Sequence, residues 1–454
     1  MQNLKITRIL HAGYIFESGG KNNSKIIFDP IFENPFSQNC TAFPNVEFNH
    51  AEIVKHHFSA IFISHYHDDH CSFESLNYLN KTTPIYMFCV HDEMFLLLKE
   101  LGFKNVHALA LNQTVQINDF KITTHRALDS DVDSIFQISV AQNSAKDFNI
   151  LNIVDSWIDD QILERLQKTS WDLILWPFQS LREIEVISPI RASKSDRKIP
   201  IELLDQLKIL NPKIIVPSSC QFKFEDWSWF NGAFFTLSYQ NFSEQISVIL
   251  PYAHILRLNP GVSVQFSTDG FKFSEPLNFL KPLGNQNADY EFDPNLQVQT
   301  TAEISKRFHA LSVDQMQFVL DYCQTGLIQK YQTLDVVDYF ENKRIWKLMV
   351  YDHLGQAFDF CYEICGQKIS AVEDSETLGW LTEVSATKIY AALKNGESLT
   401  SMYLRVNDIY FDSDTEFKIA EADVVEDPLI RCLYNGEFAS YQKAQLRKIK
   451  EQRT

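Results

Sequence analysis

No run of about 18 apolar residues occurs in this 454-residue chain, so no membrane-spanning helix is expected. Its first residues, "MQNLKITRIL", are polar and strand-like and lack the charged-then-apolar order of a secretory signal. With that start, the eight cysteines read as reduced thiols and the cytoplasm is the expected compartment. None of them forms a C-x2-C pair, which removes the commonest thiol-based zinc and redox motifs. Basic residues are in deficit, and the net charge of −17 excludes nucleic acid as a main partner, because a phosphate backbone needs basic surface to release its counterions. An anionic substrate stays open, since a bound metal ion inverts the local charge. There is no internal repeat and no low-complexity segment. What is present is apolar bulk: 45% hydrophobic residues, with 35 phenylalanines, are enough for large, aromatic-rich cores.

Short β-like runs alternate with helical ones over the first part of the chain. "KITRIL", "YIFES", "KIIFDP", "AIFIS" and "PIYMFCV" read as strands, and "DEMFLLLKELG" as a helix closed by glycine. The pattern repeats with "FKITTH", "SIFQISV", "FNILNIVD", "WDLILWPF" and "KIIVPSS" as strands, and "IDDQILERLQKT" and "IPIELLDQLKILNP" as helices. Such an order predicts a layered α/β unit over residues 1–270. The looser "EPLNFLKPLGNQNADYEF" suggests a linker over 271–292, followed by an α+β unit over 293–454.

The strand "AIFIS" runs into "HYHDDH". Three histidines and two aspartates fall within six positions there. Imidazole and carboxylate are the usual ligands of zinc, iron and manganese. On a tight loop His65 and His67 can face one way and Asp69 and His70 another, which suits two adjacent metal ions. A merely solvated polar loop is the bland alternative.

These residues match the H-x-H-x-D-H motif, and residues 5 to 265 resemble the metallo-β-lactamase fold. The resemblance implies an αββα sandwich, here with an additional C-terminal α+β domain. It implies Asp29, in "IIFDP", as a support behind the ligands. It implies His125, 55 residues after His70, as a ligand of the first metal, and Asp155, in "NILNIVDSW", as the bridge. The metal set is then His65, His67, Asp69, His70, His125 and Asp155, with Asp69 and Asp155 as the catalytic pair. The resemblance also implies a final histidine after "P-S", but Ser219 stands there, as a support at best, with Cys220 beside it. The second metal would keep Asp69, His70 and Asp155. His11, in "LHAGYIF", and Asp131 and Asp133, in "DSDVDSIF", are either near the site or structural. Trp157, Arg182 and Arg191 follow strand ends on the same side, and the arginines suit an anionic group or plain surface.

Three functions follow. The leading one is a metallo-hydrolase that uses two divalent ions, zinc first, to activate water against an ester or phosphodiester. The alternative is a di-iron monooxygenase. The segments "DVDSIFQIS", "PSSCQF" and "RLNPG" are similar in order to the catalytic part of CMP-N-acetylneuraminate hydroxylase, although the chain has no Rieske-type Cys-x-His pairs. The third is a non-catalytic relative that binds through its pocket. Expected partners are a small-molecule substrate, a second copy of the chain in a homo-oligomer, and, for an oxygenase, a separate electron-donor protein. "SATKIYAALKNGESLTSMYLRVND" is similar to small lipid-carrier-like modules; a packing or dimerisation domain fits it equally.

Overall fold

The computed structural model describes residues 4–453, apart from 21–22, 130–131, 142–145, 180–182, 193–196, 268–269, 294–296, 374–377 and 409–425. Asp131 and Arg182 therefore lie outside the described residues.

Two mixed sheets face each other. The first runs, in spatial order, Gly270–Ser274, Ser263–Ser267, Leu4–Arg8, Tyr14–Ser18, Lys25–Phe28, Ala60–Ile63, Ile85–Met87 and Val106–Ala108. Its pairings are antiparallel as far as Lys25–Phe28 and parallel beyond. The second runs His254–Ile255, Ile214–Ser218, Leu173–Pro177, Phe148–Asn152, Ser134–Val140, Phe120–Arg126 and Thr114–Ile117. It is parallel from His254–Ile255 to Phe148–Asn152 and antiparallel beyond.

Alternation along each strand divides the apolar residues into two layers. Ile6, Phe16, Phe28 and Phe62 of the first sheet meet Phe136, Ile138, Ile150 and Leu175 of the second in one buried cluster. Their neighbours point outward. Ile61 and Ile63 pack under Phe73, Leu76, Met94 and Leu98 of the helices Phe73–Asn77 and Asp92–Glu100. Ile174, Trp176 and Ile215 pack under Ile162 and Leu166 of Asp160–Leu166 and under Leu203 and Leu207 of Ile201–Leu210. Helices cover both outer faces because strands joined by crossovers are buried on both sides. The result is the expected αββα sandwich.

The C-terminal part has its own five-stranded sheet, in the order Lys368–Val372, Ala357–Cys365, Arg344–Tyr351, Trp380–Ser385 and Arg405–Val406. Trp346, Leu348, Val350, Tyr362, Trp380 and Val384 form its core with Val319, Cys323 and Leu327 of the helical run before it. It is α+β, as expected. The expected strand in "SMYLRVNDIYF" pairs, among the described residues, at Arg405–Val406.

The segment expected as a linker over 271–292 is instead built into the first domain. Gly270–Ser274 is the edge strand of the first sheet, and Leu280–Pro282 pairs with Val46–Phe48. The Tyr290 hydroxyl donates to the carbonyls of Cys220 and Phe222, both at 3.0 Å. The apolar residues Leu277, Phe279 and Tyr290, spaced through the polar stretch, supply the burial that holds it down. Ile304, Tyr403, Leu446 and Ile449 of the later region also join the first domain's core, so the two parts share apolar contact. Among the described residues, no helix is long and apolar enough to cross a membrane.

The Phe62 ring lies between Phe28, at 4.8 Å, and Tyr86, at 5.1 Å, in the layer between the sheets. Phe62→Ala should cost about 3–5 kcal/mol, read as a lowered denaturation midpoint of the first domain. A loss under about 1 kcal/mol would contradict this packing.

Candidate metal centre

The polar residues of the sandwich gather at one edge, beyond the C-terminal ends of the parallel strands. Asp29 follows Lys25–Phe28, Ser64 to His70 follow Ala60–Ile63, Asp155 follows Phe148–Asn152, and Ser219 follows Ile214–Ser218. Open α/β sheets place their ligands beyond such strand ends. The backbone is strained there: His11, Asp29, Val154, Ser219 and Cys220 all have φ between +40° and +66°. Val154 is β-branched, for which that region is a genuine outlier.

The loop of His11 depends on close approach. A side chain on Gly13 would put its Cβ 2.6 Å from the Asp29 carbonyl oxygen, so only glycine lets the turn lie against Asp29. The fully buried Arg8 then fastens the loops together. Its guanidinium donates to the carbonyls of His11 (3.0 Å), Pro217 (2.9 Å) and Leu258 (3.3 Å), which spreads its charge over peptide dipoles.

Hydrogen bonds behind the rings decide which nitrogens are free. The Ser64 hydroxyl donates to Asp29 Oδ2 at 2.7 Å, so its oxygen accepts from His65 Nδ1, 3.0 Å away, and His65 Nε2 is left with a lone pair. His70 Nδ1 donates to Asp29 Oδ2 at 3.1 Å and its Nε2 to Asp155 Oδ2 at 2.9 Å; burial resists the resulting charge, but Asp155 and Asp69 outweigh it and hold the ring's pKa well above the usual value. Asp29 also accepts the Ser64 N–H at 2.7 Å. A carboxylate behind a ligand ring is the usual means of fixing its tautomer.

Two groups of ligand atoms result, and they share Asp155. In one, His65 Nε2 lies 3.0 Å from His67 Nδ1, 3.8 Å from Asp133 Oδ1 and 4.0 Å from Asp155 Oδ1. In the other, His70 Nε2 lies 2.9 Å from Asp155 Oδ2 and 3.6 Å from Asp69 Oδ2, with His11 Nε2 3.0 Å away. His11, Asp69, His70 and Asp155 present ligand atoms all within 4.8 Å of one another. Asp133 Oδ1 and Asp155 Oδ1 are buried without a hydrogen-bond partner, beside the free His65 nitrogen. Orphaned carboxylate oxygens facing an imidazole lone pair fit a cation.

The electrostatics carry the same mark. Burial, reinforced by Asp155, pushes the Asp133 carboxyl up to about 6. Burial also works against the charge on Asp155, but His70 and His65 outweigh it and hold that carboxyl well below the usual range. Burial and the neighbouring His70 and His67 rings push His65 well down, which keeps it neutral. A proton and a metal ion compete for the His70 Nε2 lone pair, so a metal taken up there would release a proton.

Not every expected residue is brought together. His125 lies inside the ladder, opposite Ile135, with its Nε2 3.4 Å from Gln137 Oε1 and Arg165 nearby. Asp133 precedes Ser134, the first paired residue of the next strand, and brings its Oδ1 to 3.8 Å from His65 Nε2. The Ser134 hydroxyl donates to the Ser64 carbonyl at 2.9 Å and anchors that strand end to the histidine loop. An aspartate directly before a buried strand was the available signal in "DVDSIF". Ser219 turns its hydroxyl onto the Ser218 carbonyl at 2.7 Å. Burial pushes the Cys220 thiol up to about 12, unlike the thiolate a metal takes. Arg191 donates to the Asn407 carbonyl at 2.9 Å, at the contact between the two parts of the chain. Trp157 packs on the first domain's core.

His11 lies beside Asp69, His70 and Asp155 at the same edge. The Cys220 N–H donates to His11 Nδ1 at 3.0 Å, so the ring's proton sits on Nε2. That proton faces Asp69 Oδ2 at 3.1 Å and Asp155 Oδ2 at 3.6 Å. Burial resists a positive charge on His11, but Asp69 and Asp155 outweigh it and push its pKa up. A second proton would have to point at the Cys220 N–H. In this arrangement His11 is a donor at the centre, His65 Nε2 carries a lone pair, and His70 Nε2 offers one once its proton is displaced.

No family model matches this sequence, and no curated relative does. Solved structures similar to it include metallo-β-lactamase fold proteins. A metallo hydrolase, Igni18 of Ignicoccus hospitalis KIN4/I, shares 16% identity over 58% of this chain and 99% of its own, with a TM-score of 0.38. The metallo-β-lactamase fold protein YhfI of Bacillus subtilis shares 14% over 58% of this chain and all of its own, also at 0.38. CmlA, a diiron β-hydroxylase of Streptomyces venezuelae, shares 13% over 58% of this chain and 54% of its own, at 0.36.

Metal analysis by inductively coupled plasma mass spectrometry separates Asp133 from His125. Asp133→Asn should lose about half of the bound metal, and His125→Gln should keep all of it. The reverse pattern would contradict the assignment of ligands.

Proposed function

We propose that this chain is a two-metal hydrolase acting on an ester or phosphodiester. His65, His67, Asp133 and Asp155 would hold one ion, and Asp69, His70 and Asp155 the other. When bound, two such ions lower the pKa of a shared water and polarise the bond to be cleaved. The chain's own part is orientation and hydrogen-bond donation. Asp29, through Ser64 and directly, holds the rings of His65 and His70 with their Nε2 atoms inward. Asp69 and Asp155 orient the attacking water. His11 keeps its Nε2 proton and donates it as a hydrogen bond to the oxygen that gains charge as the bond breaks, and the leaving oxygen takes its own proton from water.

The observation that carries this reading is the proton placed on His11 by the Cys220 N–H, 3.1 Å from Asp69 at the edge of the centre. A fixed hydrogen-bond donor so placed contributes about 10²–10³-fold. His11→Gln should therefore keep its metal and lose about that factor in kcat, measured on p-nitrophenyl esters and bis-p-nitrophenyl phosphate. Loss of metal in that variant, with turnover per bound metal unchanged, would make His11 a ligand and remove its role as a donor.

One observation favours the second reading, a di-iron monooxygenase fed by a separate electron-donor protein. With Asp133 beside His65, three imidazoles and three carboxylates face the two ions, a harder set than zinc prefers and one that suits iron or manganese. Metal content and visible spectra of aerobically and anaerobically purified protein separate the two. Two irons with an oxo-bridge absorption and no hydrolytic turnover would replace the hydrolase by the oxygenase. Turnover of either ester class would support the hydrolase.

A further inference from the structure

The last helix, Ser440–Glu451, belongs to the C-terminal part by sequence but lies against the first domain, beside the histidine loop. Its outer row is basic. Lys443 meets Glu93 at 2.8 Å, Lys448 meets Glu74 at 2.6 Å, and Lys450 pairs with Glu100. Exposed pairs of this kind contribute little each, but together they set the helix's register on Phe73–Asn77 and Asp92–Glu100.

Its inner row is a pair of buried glutamines one turn apart. Gln442 Nε2 donates to the Tyr66 carbonyl at 2.7 Å and to the Cys71 carbonyl at 2.9 Å. Gln445 accepts the Phe73 N–H at 2.6 Å and donates to the Ser72 hydroxyl at 3.1 Å. Tyr66 and Cys71 bracket the turn that carries His67, Asp69 and His70. One amide nitrogen therefore ties together the two ends of that turn. Phe438, just before the helix, packs its ring on Tyr66 at 4.9 Å and on His91 at 4.2 Å.

We propose that Gln442, backed by Gln445, is a positioning residue for the metal centre, so that the C-terminal domain completes the centre rather than only covering its mouth. The chemistry selects glutamine. A primary amide offers two N–H donors from one nitrogen and carries no charge to bury, and two carbonyls are what the turn presents. Without that nitrogen the two buried carbonyls lose their partner and turn toward water, carrying the ligands between them out of register. The inference rests on the metal reading above.

Cobalt(II) titration of the full chain, followed through its visible d–d bands, tests it. Gln442→Met keeps the side chain's length and removes the donors. It should weaken cobalt binding by about 10- to 100-fold, the range for lost support behind metal ligands, and change the band shape. Lys448→Ala, on the same helix but reaching only the surface, should bind as the wild type does. Wild-type affinity and spectrum in Gln442→Met would overturn the proposal. So would an equal loss in Lys448→Ala, because helix docking in general would then set the affinity. If Gln442→Met does not fold, Gln442→Asn keeps an amide but draws it back by one methylene, and the same two results decide. A wild-type chain that takes up no cobalt would instead sink the metal reading itself.

Discussion

The arrangement at the sandwich edge depends on one carboxylate. Asp155 comes from the second sheet and turns one oxygen toward His65 and the other toward His70 and His11, which belong to the first. It is the meeting point of the two halves and of the two ligand groups. It also makes the edge electrically demanding, because Asp69 and Asp133 stand close to it. Like charges at such separations cannot all stay ionised without compensation. The raised Asp133 carboxyl and the depressed Asp155 carboxyl are two sides of that constraint. Cations relieve it, and the partly neutral imidazoles alone do so incompletely.

Meeting that demand requires a rigid frame. Strained backbone at His11, Asp29, Val154, Ser219 and Cys220 is tolerated because Arg8, Asp29 and Ser64 tie the loops to one another through buried hydrogen bonds. Each strained residue costs on the order of 1–3 kcal/mol, and the interleaved aromatic layers below offset it. The same logic extends to the C-terminal part. Its last helix meets the histidine loop through polar side chains directed at backbone carbonyls, which are the groups a loop leaves unpaired.

The sandwich was legible because its strands read as short apolar runs with helical segments between them. "AIFIS" followed by "HYHDDH" located the edge without ambiguity. The second sheet's contribution was harder to read. His125 and Asp133 both flank the same strand pair, and which of them reaches the edge depends on register, with Ser134 rather than Ile135 as the first paired residue. A one-step difference of that kind leaves no trace in composition or spacing. His11 was visible as a candidate, but its role turns on the Cys220 N–H, a contact between residues 209 positions apart. Gln442 and Gln445 carried no signal at all. Glutamine on a basic helix reads as surface until the helix is docked.

The central claim is that two metal ions lie at this edge and share Asp155. Anomalous diffraction from crystals of the metal-loaded chain, collected at the absorption edge of the bound metal, tests it most directly. The account predicts two peaks, one ringed by His65, His67 and Asp133, the other by Asp69 and His70, with Asp155 between them and His11 outside the coordination of both. A single peak, or a peak liganded by His125 in place of Asp133, would contradict it.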